Sequence, residues 1–471
     1  MNFSEWYTQV ICKAGLADYS PVKGSIVVRP YGYEIWNRIK NILDTKLNQT
    51  GHQDGFMPIL IPESFLSKEK NHFEGFTPEV FWVTKAGATE LSERLALRPT
   101  SETIVYASYS KWIESYRDLP MKINFWNSAL RAEIKNTKPF IRNSEFLWQE
   151  GHTAHVSEKE AEEEVKLILD IYHGLLEDYL AIPSVAGLKS EREKFVGAVY
   201  TLTLESIMPD GKALQVATSH QLGQNFSKPF EIRYLDQNNE HCYVWQTSWG
   251  VSWRLIGAIV MMHGDDKGLL LPPQIAPIQT VIVPIFRDDV ADMVKLRARE
   301  IGDELRQAGV RVFVDDREEY TSGWKFNEWE LKGIPLRINI GPRDIKEAQV
   351  ELVRRDNMQK LKVSRSGVVN FVSRTLAEIH ESLLSRAKEI LKHNITEVGS
   401  FEAFKSVIGK GGFISAVWCG DQSCEELVKQ ETGADLRVIP FQEGERIGTK
   451  FETCFCCKRK AAKVAIFARA Y

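Results

Sequence analysis

The sequence predicts an α+β domain built on an antiparallel sheet over residues 1–277, a small α/β domain over 278–372 and an α+β, cysteine-bearing unit over 373–471. Three observations predict it. Before residue 277, aromatic and β-branched runs are broken by helical patterns in no fixed order, the arrangement of an α+β domain. Leu271-Pro272-Pro273 through Pro277 then halts the pattern, because adjacent prolines lack N–H donors and bias the residues before them toward extended conformations. Finally, five of the seven cysteines lie from Cys419 onward, which marks the C-terminal stretch as a separate unit. A length of 471 residues accords with three domains at about 150 residues each.

In the first unit a helical pattern from Tyr31 to Leu47 leads into Gly55-Phe-Met-Pro-Ile-Leu-Ile-Pro62, read as a single strand ended by proline. Lys122 to Trp126 and the run after Arg142 read as antiparallel strands joined by a mobile basic loop through Lys135, Asn136, Lys138 and Pro139. The acidic run Glu158 to Glu164 suits a helix N-terminus, where carboxylates favour the dipole. Ser248-Trp-Gly250-Val-Ser252-Trp253-Arg254 reads as a strand ending near Ser248 that turns through Gly250 into a helix carrying Arg254 in its first turns. In the second unit the strand Val281 to Phe286, an amphipathic helix from Asp288 to Ala308, the strand Val310 to Val314, a helix from Trp324 to Leu331 and the strand Leu336 to Ile340 alternate as in a largely parallel sheet. A helical stretch from Leu376 to Lys392 opens the third unit, which contains Lys410-Gly411-Gly412-Phe413 and closes on Ala465 to Tyr471.

Composition excludes several classes. A chain 43% hydrophobic and 26% charged is neither disordered nor collagen-like. Sixty basic against 63 acidic residues give a net charge of −3, so any polyanion partner would be met by local patches and not by a global field. Glu5 interrupts the stretch where a signal peptide needs its apolar core. Leu255 to Met262 is far shorter than the roughly 20 residues that span a bilayer. A cytoplasmic chain with no membrane association and with reduced cysteines is expected.

The chemistry concentrates in a few segments. Arg131-Ala-Glu133, the basic loop, Phe140-Ile-Arg142 and Glu145-Phe146-Leu-Trp148-Gln-Glu150-Gly-His152 read as a nucleotide clamp. Guanidinium forks suit phosphate oxygens, and a nearby carboxylate accepts a hydrogen bond from an adenine amine. The competing reading is a surface hairpin with exposed ion pairs. The helix start beside Arg254 is a second anion site. Cys419-x4-Cys424 and Cys454-Phe-Cys456-Cys457 argue for a closed tetrahedral Zn²⁺ site of Cys419, Cys424, Cys454 and Cys457, with Cys456 spare; reduced, buried thiols are the alternative. A basic run of Lys458, Arg459, Lys460, Lys463 and Arg469, and the mixture of aromatics and cations from Trp324 to Lys332, are candidate RNA contacts.

The proline-ended strand, the Arg-x-Glu hairpin and the helix with its arginine, in that order, resemble the three signature motifs of class II aminoacyl-tRNA synthetases. Arg98-Pro99-Thr100-Ser101-Glu102 looks like the loop with which the class IIa enzymes hold the substrate amine. Leu214-Gln215-Val-Ala-Thr218-Ser-His220-Gln-Leu-Gly-Gln-Asn225, together with Phe146 to His152, is closest to the prolyl-tRNA synthetase family. The resemblance runs the whole length: the middle unit looks like an anticodon-binding domain, and the last, with its Phe-Ala-Arg-Ala-Tyr471 ending, like the zinc-binding domain of the archaeal and eukaryotic-type branch.

The resemblance implies a homodimer that joins L-proline to tRNA(Pro) through prolyl-adenylate, using ATP with Mg²⁺ and releasing AMP and diphosphate. It places Arg131 on the α-phosphate and proline carboxylate, Glu133 on the adenine amine, Arg142 and Arg254 on the distal phosphates or adenine face, and Phe146 against the base. Gln215 and Thr218 would touch the nucleotide. Thr100 and Glu102 would receive the imino nitrogen, and Trp148, His152, His220 and Ser252 would wall the ring pocket. Glu205 is carried over as a candidate for the amine or Mg²⁺, and Glu330, Arg337, Arg343 and Asp344 for anticodon bases. Trp253 stands where the family usually has threonine, and Tyr471 would tuck toward the catalytic domain.

The span from His155 to Trp249 leaves no room for the family's large editing insertion. Alanine fits any pocket that holds proline, and lost methylenes discriminate by only about 1–3 kcal/mol, so alanyl-adenylate formation without correction is expected. The alternatives are another class IIa ligase, such as the threonyl enzyme, and a non-catalytic tRNA-binding paralogue.

Overall fold

The computed structural model describes residues 2–66, 79–134, 136–286, 288–441, 451–461 and 463–471; Lys135 of the basic loop lies outside them. Its centre is an eleven-stranded sheet. From one edge the order is Ile395–Val398, Phe413–Trp418, Lys463–Ala468, Asp435–Pro440, Val185–Leu188, Tyr200–Ile207, Ala213–Gly223, Trp245–Ser252, Glu145–His155, Met121–Leu130 and Gln53–Gly55. Only the two outermost pairs are parallel. The antiparallel sheet expected of the first unit is present, and it continues without a break into the third unit through the pairing of Ile439 and Pro440 with Leu188 and Gly187.

One face of the sheet is closed by the helix Glu158–Asp178. Its N-terminus is set by Ser157, whose hydroxyl accepts from the Glu160 N–H at 3.2 Å. Ala161, Val165, Ile168, Leu169, Tyr172, Leu175 and Leu176 are buried at helical spacing, so one apolar stripe faces the strands. Glu164 falls within that stripe and is compensated, its carboxylate meeting His52 at 2.7 Å and Lys122 at 2.6 Å. The helix Pro30–Gln49 packs its own stripe of Ile35, Trp36, Ile39 and Leu43 into the same core. The opposite face of the sheet carries the site.

Two local expectations change. The segment expected to be one strand from Gly55 to Pro62 is two: Gln53–Gly55 pairs with Met121–Leu130, and Leu60–Pro62 pairs with Thr89–Leu97 in a separate sheet. Pro58, which has no N–H to offer a ladder, lies in the break. The strand expected to end near Ser248 runs on to Ser252, with Gly250 inside it and paired to Glu150 and Thr218. Gly250 serves close strand approach and not a turn, since a Cβ there would lie 2.9 Å from the Gln149 carbonyl oxygen.

The middle domain has five strands in the order Val312–Val314, Thr280–Pro284, Leu336–Ile340, Gln349–Arg354 and Lys360–Ser364. The first three are parallel and the last two antiparallel, so the sheet is mixed where a largely parallel one was expected. The helix Ala291–Gln307 covers it. The helix Val368–His393 spans the boundary drawn at residue 372: Val368, Val372, Leu376, Ile379 and Leu383 form one continuous buried stripe on the middle-domain core. Among the described residues no helix is long and apolar enough to cross a membrane.

Candidate active site

A cavity of about 790 Å³ opens on the face of the central sheet away from the helix Glu158–Asp178. Strand alternation sends Trp148, Glu150 and His152 from one strand, and Thr218 and His220 from another, toward it, and a register shift opposite Leu204 and Glu205 leaves Gln215 among the lining residues as well. Every residue expected to hold nucleotide or amino acid lines this one cavity except Glu205. Thr100, Glu102, Arg131, Glu133, Arg142, Phe146, Trp148, His152, Gln215, Thr218, His220, Ser252 and Arg254 are brought together there.

At one end the ligand atoms of Glu102, Glu150 and His152 lie within 4.8 Å of one another, all buried. Glu102 begins the helix Glu102–Trp112, and its carboxylate accepts from the Thr100 hydroxyl. Burial pushes the Glu102 carboxyl above its usual range, with Glu150 adding to the rise. Glu150 is held below that range: burial opposes ionisation, but His152 at 3.2 Å, the Ser101 hydroxyl and the Asn127 amide at 2.9 Å outweigh it. His152 is raised despite its burial by Glu150 and Glu102, and Tyr106 bonds its Nδ1 at 3.1 Å. Glu150 bonds His152 directly, while Glu102, bonded to Thr100 and eased by the His152 charge, still lies above the usual carboxyl range, so a further cation would favour its ionised form. His220 is pushed down to about 3 by burial and by the His152 charge. Its ring is therefore neutral at ordinary pH; Nδ1 meets the Thr201 hydroxyl at 2.9 Å, and the ring lies 4.8 Å from that of Phe195.

The other end is cationic. Arg131 stacks on Phe146 at 5.1 Å, and desolvation lowers its guanidinium. Arg254 donates to the Gln215 carbonyl at 3.1 Å, while its Nε has no partner among the described residues. Burial, then the charges of Arg131, Arg437 and Arg142, push Arg254 down to about 10. Crowded cations with an unused donor define an anion site. Glu133 and Arg142 stand exposed at the rim.

Comparison with known proteins places this geometry. Residues 81–263 match a model of the tRNA synthetase class II core domain (G, H, P, S and T), residues 279–375 an anticodon binding domain, and residues 401–471 a prolyl-tRNA synthetase C-terminal domain. The chain is 55% identical over 471 residues to a proline–tRNA ligase of Cenarchaeum symbiosum, covering all of this chain and 98% of that one. The chain belongs to the prolyl-tRNA synthetase family. A proline–tRNA ligase of Natranaerobius thermophilus is 50% identical, over 100% of this chain and 96% of the relative. Crystal structures of the Cryptosporidium parvum prolyl-tRNA synthetase superpose with TM-scores of 0.95, in complex with halofuginone and AMPPNP, and 0.94, with L-proline and AMP. They are 44% and 43% identical, and the matches cover all of this chain and 98% and 95% of those chains.

Glu205 requires correction. It lies beneath the cavity, fully buried on the strand Tyr200–Ile207, and both its oxygens are taken: Lys189 donates at 2.6 Å, and Arg437 of the third unit donates from Nε and Nη2 at 3.1 Å. Burial alone would raise its pKa, yet the two cations hold it low. The Thr203 hydroxyl, at 3.3 Å, is a further donor, and Glu205 is not among the residues that line the cavity. Trp253, the departure from the family's usual threonine, is buried and packs edge-on against Phe140 at 5.5 Å. It thereby fills the core under the hairpin loop. Phe195 and Lys189 line the cavity and were not anticipated; neither sits in a motif, and no spacing in the sequence signals them.

In the middle domain Glu330 and Arg337 form an ion pair at 2.9 Å, with Lys267 also reaching Glu330 at 3.3 Å and Arg337 stacked 3.9 Å over Phe326. Arg343 is exposed and pairs with Glu347 at 2.9 Å, while Asp344 caps the helix Pro342–Lys346 by accepting from the Gly341 N–H at 2.9 Å. In the third unit the sulfur atoms of Cys419, Cys424, Cys454 and Cys457 lie within 4.8 Å of one another, and Cys419 is 3.7 Å from both Cys424 and Cys457. A tetrahedral site with Zn–S bonds of about 2.3 Å separates its sulfurs by about 3.8 Å, so the donor set fits. Cys456 stands outside the group. Tyr471 reaches the rim of the cavity.

Proposed function

We propose that this chain ligates L-proline to tRNA(Pro) in two steps, with Glu102 and Thr100 receiving the imino nitrogen, and Arg131, Arg142 and Arg254 receiving the phosphates. One observation carries the reading: a single cavity has a buried carboxyl at one end and converging arginines at the other. The L-proline and AMP of the similar Cryptosporidium parvum structure divide naturally between the two. The proline carboxylate is already ionised near neutral pH, so it attacks the α-phosphorus without a general base, and the protein's task is alignment and charge neutralisation. Arg131, reaching both carboxylate and α-phosphate, aligns nucleophile with electrophile. Glu133 accepts from the adenine amine, Phe146 stacks on the base, and Gln215 and Thr218 hold the nucleotide. Trp148, His152, His220 and Ser252 wall the ring pocket, with His220 as a neutral imidazole.

Mg²⁺ entering with ATP supplies charge neutralisation on the phosphates; Glu205 is not available to it. In the second step the prolyl group passes from the adenylate to the terminal ribose hydroxyl of tRNA. Glu330, Arg337, Arg343 and Asp344 form the anticodon contact, since carboxylates and guanidinium groups pair with the edges of unstacked bases. The function is cytoplasmic.

An amino-acid panel in ATP–pyrophosphate exchange tests the activity. Proline is expected to be the best substrate and alanine a measurable minor one; exchange with threonine but not proline would overturn the assignment. Cys419, Cys424, Cys454 and Cys457 would hold one structural Zn²⁺ per chain. Metal analysis of the purified protein should return about one zinc per chain, dropping below half in Cys454→Ala, with a lowered Tm; full occupancy in that variant would exclude Cys454 as a ligand.

The chain acts as a homodimer through the segment that carries Phe56, which is 81% exposed, with Ile59 and Leu60 beside it. Sedimentation should give twice the 53.8 kDa chain mass, and Phe56→Asp should shift the protein toward monomer. An unchanged dimer would place the interface elsewhere.

A further inference from the structure

We propose that Lys138 is a positioning residue for the ATP end of the site, holding the turn that bears Arg142 inside an aromatic cage contributed by both ends of the chain. The Lys138 ammonium lies 4.3 Å from the ring of Tyr471, 4.9 Å from that of Tyr7 and 5.9 Å from that of Phe3. A loop lysine in a phosphate site would ordinarily be expected to reach for the ligand. This one is instead surrounded by aromatic faces, which attract a cation through their quadrupoles.

The cage acts on Arg142 through the backbone. Lys138 and Arg142 close a tight turn, each N–H donating to the other's carbonyl at 2.9 Å, with the Ile141 N–H reaching Lys138 at 3.0 Å. Phe140 within the turn has φ 62° and is buried against Trp253, so the turn is a fixed unit and not a string of independent residues. Tyr7 grips it twice, its ring under the ammonium and its hydroxyl donating to the Pro139 carbonyl at 2.5 Å.

Tyr471 is itself anchored to the nucleotide wall. Its N–H donates to the Ala213 carbonyl at 3.3 Å, Ala213 donates to the Arg469 carbonyl at 2.8 Å, and its hydroxyl donates to Asp210 at 2.5 Å. Ala213 begins the strand that carries Gln215 and Thr218. Among the described residues, the charges that act on the Lys138 amine are Lys212, 5.0 Å over the same Tyr471 ring, and Asp210. Burial lowers the Lys138 amine to about 8, Asp210 opposing and Lys212 reinforcing the shift. The last residue of the chain and its first helix therefore meet on one lysine, and that lysine shares a turn with the rim arginine.

The inference rests on Arg142 contacting ATP, and its test separates the two ideas. In proline-dependent exchange with the full-length protein, Lys138→Met is expected to raise KM for ATP about tenfold, leaving KM for proline and Tm unchanged, while Lys138→Arg stays within about threefold of wild type. Tyr471→Leu should reproduce the rise. Tyr471→Phe, which keeps the ring and loses only the Asp210 bond, should lie within about twofold of wild type. A Lys138→Met enzyme with unaltered KM for ATP overturns the proposal, and so does an equal rise in both KM values with a lowered Tm, which would make Lys138 a structural tether. Equal damage from Tyr471→Phe and Tyr471→Leu overturns the cage. If Arg142→Ala leaves KM for ATP unchanged, the nucleotide assignment fails instead, whatever Lys138 does.

Discussion

Arg131→Ala is expected to lower proline-dependent ATP–pyrophosphate exchange by at least about a thousandfold, with the fold and the oligomeric state retained. The size follows from where Arg131 sits. It lines the cavity beside Glu102 and Glu150, is held over Phe146, and carries a guanidinium that desolvation already disfavours. A cation kept at that cost is in place before the phosphate arrives, and such preorganised charge contributes most when it meets charge that develops in the transition state. Among the described residues its side chain makes one hydrogen bond, a 3.5 Å contact to the Pro99 carbonyl, so its loss should leave stability nearly untouched. Lysine at this position should recover little, because a point charge does not bridge two anionic groups as a fork does. Exchange within tenfold of wild type in Arg131→Ala would remove this residue from the adenylation step.

The second large effect is on stability. Arg437→Leu is expected to cost about 3–5 kcal/mol in urea unfolding, because it strips one of two cationic partners from a carboxylate with no route to water. Glu205 is fully buried and faces Lys189 at 2.6 Å and the Arg437 fork at 3.1 Å. The double variant Glu205→Gln, Arg437→Leu should recover part of the loss, since the stranded charge leaves with the arginine; the coupling read from the cycle is the measure of the pair. A loss below about 1 kcal/mol in Arg437→Leu, the range of an ordinary surface change, would show that Glu205 finds water or a second partner.

Glu205 also shows where reading the sequence stops. The residues expected to hold small ligands fall in short contiguous segments, 98–102, 131–152, 214–220 and 252–254, and local strand and hairpin structure brings most of them to one cavity. Their chemistry was legible because the spacing itself is the geometry. Glu205 was carried over from the resemblance alone, and its partner Arg437 is 232 positions away, so only tertiary structure pairs them. Gly250 misled for a related reason: a glycine reads as a turn, while here it admits a neighbouring backbone at close range. The boundary at residue 372 was recoverable, since Val368, Val372, Leu376, Ile379 and Leu383 keep one helical period straight through it. The cage around Lys138 was not, because its rings come from residues 3, 7 and 471.

The unbroken central sheet bears on how the protein comes into being on the ribosome. Val185–Leu188 finds its outer neighbour in Asp435–Pro440, which in turn pairs with Lys463–Ala468. A nascent chain that has emerged as far as the middle domain therefore presents an unpaired strand edge, the kind of surface that recruits chaperones or other unfinished chains. It also lacks the arginine that neutralises Glu205. Emergence of Asp435–Pro440 and Lys463–Ala468 supplies that edge, so the catalytic sheet is completed only after the cysteine-bearing unit has left the ribosome.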